Sequence, residues 1–183
     1  MITKRTDYQR PKANKQPRPE ILLHPNIPKP MHEVSPRTIM GQAWWDIVRR
    51  EAYLSTNYHC AACGVHKSQA KKHQWLEAHE VYDIDYEKGT MTFVEIVPLC
   101  HYCHNCIHSG HMAMLVDAGE MTKKIMNEIK KHGEVVLKGI KKEKKELKSI
   151  APWSKWRMVF DGKEYPPKYK SFDAWFDKYA RSN

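Results

Sequence analysis

The chain has 183 residues, with 31 Lys and Arg against 21 Asp and Glu for a formal net charge of +10, and a mean hydropathy of −0.73. That length suffices for one domain with its own core, or for a small metal-stapled core with appended segments. No apolar run nears the roughly 18 residues of a membrane span and no apolar block follows the basic N-terminus, so we expect no membrane partner, no secretory leader and a cytoplasmic setting; the positive excess favours a polyanion, nucleic acid being the commonest, over lysine kept for solubility alone.

Residues 1–38 hold seven of the eleven prolines, Pro11, Pro17, Pro19, Pro25, Pro28, Pro30 and Pro36, mixed with Lys and Arg. Proline removes backbone donors and biases its predecessor away from helix, so this basic arm is expected to be extended and to lie across the domain or its ligand. From Met40 to Tyr53 the periodicity predicts a helix with Trp44, Ile47, Val48 and Ala52 on one face, and core packing is the plainest use of the paired tryptophans.

Four of the five cysteines then fall in two Cys-x-x-Cys pairs, Cys60 with Cys63 and Cys100 with Cys103. A thiolate pair at this spacing sits on one turn, and two pairs complete a tetrahedral zinc site. Gly64, directly after the first pair, supplies a residue that tolerates positive φ in such a knuckle. In a reducing compartment the pairs read as metal ligands before disulfides. The segment 64–99 between them exceeds the about 15–20 residues of a simple zinc ribbon, and a nested hairpin accounts for the excess: strands at 75–82 and 90–97, with a turn from Asp83 to Gly89. Glu77, Glu80 and Glu95 on these strands read more readily as structural or solvated carboxylates than as catalytic ones.

After the second pair, His104 and His108 stand at i and i+4 and would share one face of a helix within reach of one metal ion, with His79 upstream on the first strand. Cys106 continues the spacing but should be turned away by that helix and buried as a small side chain. Residues 116–150 read as a basic helical region interrupted at Gly133 and Gly139, ending in Lys138, Lys141, Lys142, Lys144, Lys145 and Lys148, tempered by Glu143 and Glu146; a solvated face is the plain reading and phosphate contact the other. In 151–183 we expect a short strand, an Asp-Gly turn and a final helix capped by Ser171, whose Phe172, Trp175, Phe176 and Tyr179 form a stripe for docking on the core.

In order, the elements are knuckle, strand with His79, turn, strand, knuckle and helix with His104 and His108. This arrangement resembles the HNH (His-Me finger) endonucleases, whose ββα-metal unit is often braced by zinc on two Cys-x-x-Cys pairs; the family's ending is matched by Leu99, Cys100, Cys103, His104 and His108, and the likeness covers roughly residues 58–111. The phrases at 24–30 and 41–46 also look like those of uncharacterised bacterial or phage HNH-type proteins. The resemblance implies an α+β fold with a ββα-metal core over 39–115, structural Zn2+ at Cys60, Cys63, Cys100 and Cys103, and a catalytic divalent cation (Mg2+, Mn2+ or Zn2+) at His104 and His108. It also implies metal-dependent hydrolysis of phosphodiester bonds in DNA, with a strand-borne base. Where the family has a ligand followed by a base histidine, this chain has His79-Glu80: either His79 is a ligand and Glu80 the base, or the register slips, His79 is the base and Ala78 fills the ligand position. The family's central asparagine falls on Glu95, a carboxylate that can bind a hard cation but cannot also donate a hydrogen bond. A zinc-braced nucleic-acid-binding module without chemistry, and a protein-interaction scaffold using the arm and the aromatic tail, are the alternatives.

Overall fold

The computed structural model describes residues 16–141 and 149–180, so Pro11 of the arm and Lys142, Glu143, Lys144, Lys145, Glu146 and Lys148 of the lysine run lie outside the described residues. From Pro17 the arm runs against the body of the protein through two short 3-10 turns, Pro19–Leu23 and Lys29–Met31, each with proline at its start. Ile21, Leu22, Met31 and Val34 are buried, so this part of the arm contributes to the core.

Helix α1 (Pro36–Met40) is opened by a capping box between Ser35 and Thr38, and Gly41, at φ +82, separates it from α2 (Gln42–Ser55). The expected apolar face of α2 is displaced. Trp45, Val48 and Ala52 are the buried residues, Trp44 is half-buried, and Ile47 is 60% exposed. The i, i+3, i+7 set that starts at Trp45 packs on Ile96, which leaves Ile47 facing outward.

The hairpin pairs β1 (Glu77–Asp85) with β2 (Thr90–Leu99) in antiparallel register, Glu77 opposite Leu99 and Asp85 opposite Thr90, with a bulge between Val81 and Tyr82. Its turn is shorter than the sequence suggests, because the Asp85 carboxylate accepts from the Glu87 and Lys88 amides at 3.1 and 3.0 Å and nucleates it. After β2 come α3 (His101–Ile107) and α4 (Ser109–Asp117), broken at His108, and then α5 (Lys123–Val136). Helix α5 runs unbroken through Gly133, contrary to the interruption expected there. A Cβ at Gly133 would stand 2.7 Å from Cys106 Sγ, so this glycine serves a close approach of α3 to α5; Cys106 Sγ donates to the Ile129 carbonyl across the same contact.

The tail joins the same sheet. β3 (Arg157–Phe160) lies parallel to β2, and β4 (Lys163–Tyr165) returns through Asp161 and Gly162, both at positive φ as a two-residue hairpin loop requires. The strand order is β1-β2-β3-β4. Together with the six helices this makes an α+β chain among the described residues. Met31, Met91, Trp156, Met158 and Phe160 form the core at the tail end of the sheet. Leu99, Ile107, Met112 and Ile129 surround the cysteines at the other end. The final helix, α6 (Phe172–Ala180), is capped by Ser171 Oγ accepting from the Ala174 amide. It docks on the arm: Trp175 donates to His32, and Tyr179 donates to Glu33, while Phe172 and Phe176 stay about half exposed. No described helix is long and apolar enough to cross a membrane.

Candidate metal centre

The first knuckle closes through the Gly64 amide to Cys60 O at 2.9 Å and the Cys60 amide to Val65 O at 2.8 Å. Gly64 stands at φ +75, and a Cβ there would be 2.7 Å from Pro17 Cγ. Cys100 leaves β2 as the N-cap of α3, and Cys103 lies in that helix's first turn. All four cysteines are free, and their sulfurs lie within 4.8 Å of one another. Cys63 Sγ and Cys100 Sγ are 3.8 Å apart, the edge of about 3.8 Å that four Zn–S bonds of about 2.3 Å generate in a tetrahedron. Thiols this close compete for ionisation: hydrogen bonds with Cys100 and Cys103 hold Cys60 far below the usual thiol range, while those with Cys100 and Cys60 push Cys103 far above it. A cation at the centre resolves that competition by stabilising all four thiolates. His132 Nε2 on α5 sits 3.2 Å from Cys103 Sγ, in the place of an outer hydrogen-bond partner. The group is compatible with structural zinc.

The second centre lies between β1 and α3. His79 projects from the strand, His104 from the helix, and His108 from the point where α3 ends. One ring nitrogen of each lies within 4.8 Å of the others; the ring centroids are 5.5 Å apart for His79–His104, 5.1 Å for His79–His108 and 4.7 Å for His104–His108. His79 Nε2 is buried and has no hydrogen-bond partner among the described residues. A buried polar atom without a partner is costly, and a cation held between the three rings would remove that cost. Burial, then the neighbouring His104, His108 and His24, lowers the His79 pKa to about 2; burial and the same kind of crowding bring His108 to about 4. These two rings are therefore neutral near pH 7, with lone pairs free for a metal.

Glu77, two residues before His79, fixes this arrangement. His104 Nδ1 donates to Glu77 Oε2, which leaves the other nitrogen of that ring to the cluster. Burial pushes the Glu77 carboxyl up, but the hydrogen bonds from His101 and His104 prevail and hold it well below the ordinary carboxylate range. In the sequence Glu77 reads as an isolated carboxylate; its position two residues from His79 on a strand, hence on the same face, is the signal that ties it to the site. The arm adds His24, whose ring is 5.2 Å from that of His79. Its Nε2 accepts the Tyr82 amide at 2.8 Å, immediately beside the bulge in the ladder.

The structure thus brings together His79, His104 and His108, while the two other acidic candidates engage partners of their own. Glu80 accepts from the Arg37 amide and from Tyr82 Oη, and burial raises its carboxyl. Glu95 forms a forked ion pair with Arg18 at 2.6 and 3.1 Å, tying the arm to β2. A cleft of about 630 Å³ borders the cluster, lined among others by His108, Ser109, His111, Glu80, His32 and Ser35. No family model, curated protein or solved structure matches the chain.

Proposed function

We propose that the protein is a metal-dependent endonuclease of HNH type, with β1, β2 and α3 as its ββα-metal unit, structural Zn2+ on the four cysteines and DNA as substrate. The observation that carries this reading is the convergence of three imidazoles from strand and helix on one point beside an open cleft, one of them with an unpartnered buried nitrogen. His79, His104 and His108 would hold the divalent cation; bound there, it supplies positive charge against the phosphate and the leaving oxygen.

The other steps belong to this chain's own residues. Glu77 holds the proton on His104 Nδ1, so the ring keeps one tautomer. Glu80 lines the same cleft as His108 and takes a proton from the attacking water; a carboxyl raised by burial is a stronger base than an exposed one. The Tyr82 hydroxyl at 2.9 Å orients that carboxylate. Glu95 anchors the arm through Arg18 and so positions His24 against His79. The net charge of +10 supplies the long-range attraction for DNA.

A second reading, a nucleic-acid-binding module without chemistry, is favoured by one observation: the position where the family carries its base histidine holds Glu80, already engaged with Arg37 and Tyr82. Incubation of supercoiled plasmid with the protein and Mg2+, Mn2+ or Ni2+ separates the two. The enzyme yields nicked or linear DNA that Glu80→Gln reduces, whereas salt-sensitive binding without cleavage in any of these cations leaves the module.

A further inference from the structure

Next to the three-histidine cluster stands a second trio of ligand-type side chains that hydrogen bonding alone does not account for. His73 comes from the loop before β1, Glu77 from the first residue of β1 and His101 from the first residue of α3. Each brings one ligand atom to within 4.8 Å of the others. Glu77 Oε1 receives both rings, His73 Nε2 at 2.9 Å and His101 Nδ1 at 2.7 Å. The ring centroids are 4.8 Å apart, and the side chains are 11%, 24% and 18% exposed in the order His73, Glu77, His101.

Two features mark this as more than a polar network. Two ring nitrogens from different elements converge on one carboxylate oxygen; His73 Nδ1, the nitrogen turned away from that oxygen, is buried with no hydrogen-bond partner among the described residues. The His73 ring is also held in place from outside: Trp75 stacks on it at 3.7 Å with an interplanar angle of 1°. Asn105, buried in α3, keeps its side-chain amide on the His101 carbonyl at 2.9 Å and beside the ring nitrogens at 3.3 Å. Tetrahedral ligands at the 2.0–2.2 Å of Zn–N and Zn–O bonds stand about 3.3–3.5 Å apart, so the 2.9 and 2.7 Å spacings to Glu77 Oε1 need to lengthen by only about 0.4–0.8 Å.

We propose that His73, Glu77 and His101 form a third metal-binding site, separate from the cysteine group and from the His79–His104–His108 cluster, which takes a borderline divalent cation of the Zn2+ class. Two imidazoles and one carboxylate suit Zn2+ or Co2+ and disfavour Mg2+ and Ca2+, which require oxygen ligands. Glu77 joins the site to its neighbour, with Oε1 facing His73 and His101 and Oε2 fixing His104. A cation here would take the place of the two imidazole N–H protons that face that carboxylate oxygen, released to solvent or moved to the other ring nitrogens, and would set the orientation in which Glu77 holds the His104 ring. The inference shares Glu77 with the nuclease reading but does not require that reading.

The test counts metal. The full chain is stripped, reloaded with Co2+ and dialysed, and cobalt per chain is measured in the wild type and in His73→Ala, His101→Gln and His79→Ala. The cobalt-thiolate absorption reports in each sample that the cysteine site and its fold persist. Each of His73→Ala and His101→Gln is expected to hold one equivalent fewer than the wild type with that absorption intact. A cobalt count equal to wild type in both variants overturns the third site. His79→Ala tells the two readings apart. If it loses no cobalt while His73→Ala loses one equivalent, the third site stands and the three-histidine centre falls; if it loses one equivalent while His73→Ala and His101→Gln lose none, the three-histidine centre stands and the third site falls.

Discussion

Glu77 determines which nitrogen His104 presents, because its Oε2 accepts the hydrogen bond from Nδ1–H and keeps the proton there. Carboxylates that orient a metal-binding histidine are typically worth about 10–100-fold in metal affinity or activity. Glu77→Ala is therefore expected to raise the Mn2+ concentration for half-maximal DNA cleavage by about that factor. Glu77→Gln, whose amide oxygen can still accept from His104, should lose less. An unchanged cation dependence in Glu77→Ala would remove Glu77 from the site. At the cysteines the expected effect is on folding: Cys60 and Cys100 are buried at 2% exposure, and structural zinc supplies folding energy to small domains. Cys60→Ser should lose zinc together with the cooperative thermal transition of the hairpin and α3; a variant that keeps both would contradict the structural assignment.

Two glycines in helices make opposite demands at the scale of elements. Gly133 lets α5 pass Cys106, where an added Cβ would be 2.7 Å from the sulfur, while at Gly110 in α4 nothing lies within 4 Å of the added atom. Helix propensity alone favours Ala over Gly by about 1 kcal/mol. Gly110→Ala should thus stabilise the chain by up to about that amount in denaturant titration, while Gly133→Ala should destabilise it by about 1–3 kcal/mol through overpacking. Cys106→Ala in the Gly133→Ala background should restore much of the loss, and its failure to do so would show that this contact is not the cause.

The docking of α6 carries its own pH dependence. Trp175 Nε1 donates to His32 Nδ1 at 3.3 Å, and His32 Nε2 lies 3.3 Å from the Ile27 carbonyl, so the docked ring is neutral. Burial lowers the His32 pKa below its ordinary value; Lys29 lowers it further, while the Ile27 carbonyl and Glu33 oppose. An undocked His32 then takes up a proton before a docked one does. The contribution to docking is fully present above about pH 6.5 and is lost as the pH falls below that value. Hydrogen exchange over residues 172–180, corrected for intrinsic rates, should quicken between about pH 7.5 and 5.5. In His32→Gln this change should be absent.

For the whole molecule, the parts visible in the sequence were those set by local spacing. The Cys60–Cys63 and Cys100–Cys103 pairs, the strand with His79 and the i, i+4 relation of His104 and His108 each follow from a few adjacent residues, and the three imidazoles do converge. What stayed hidden depends on contacts between distant segments. His24 reaches His79 because the arm folds back over the bulge at Tyr82, and Glu95 is drawn to Arg18 by the same segment. His73 and His101 meet at Glu77 because a loop and a helix start converge on the beginning of β1, which no periodicity encodes. Gly133 looked like a helix break because spacing carries no information about the neighbouring helix. In the tail the sequence marks a short strand and an Asp-Gly turn but not their place in the sheet, which they extend through parallel pairing with β2, a contact that spans the lysine-rich segment.

Whether His79, His104 and His108 form one cation-dependent hydrolytic centre is decided by a single comparison. Nicking of supercoiled plasmid is timed for the wild type and His104→Ala across a Mn2+ series, with zinc content read on the same samples. The expected result is cation-dependent nicking by the wild type and its loss in His104→Ala, both proteins retaining the zinc of the cysteine site. Nicking by His104→Ala at the wild-type rate, or none by the zinc-loaded wild type at any cation concentration, would contradict it.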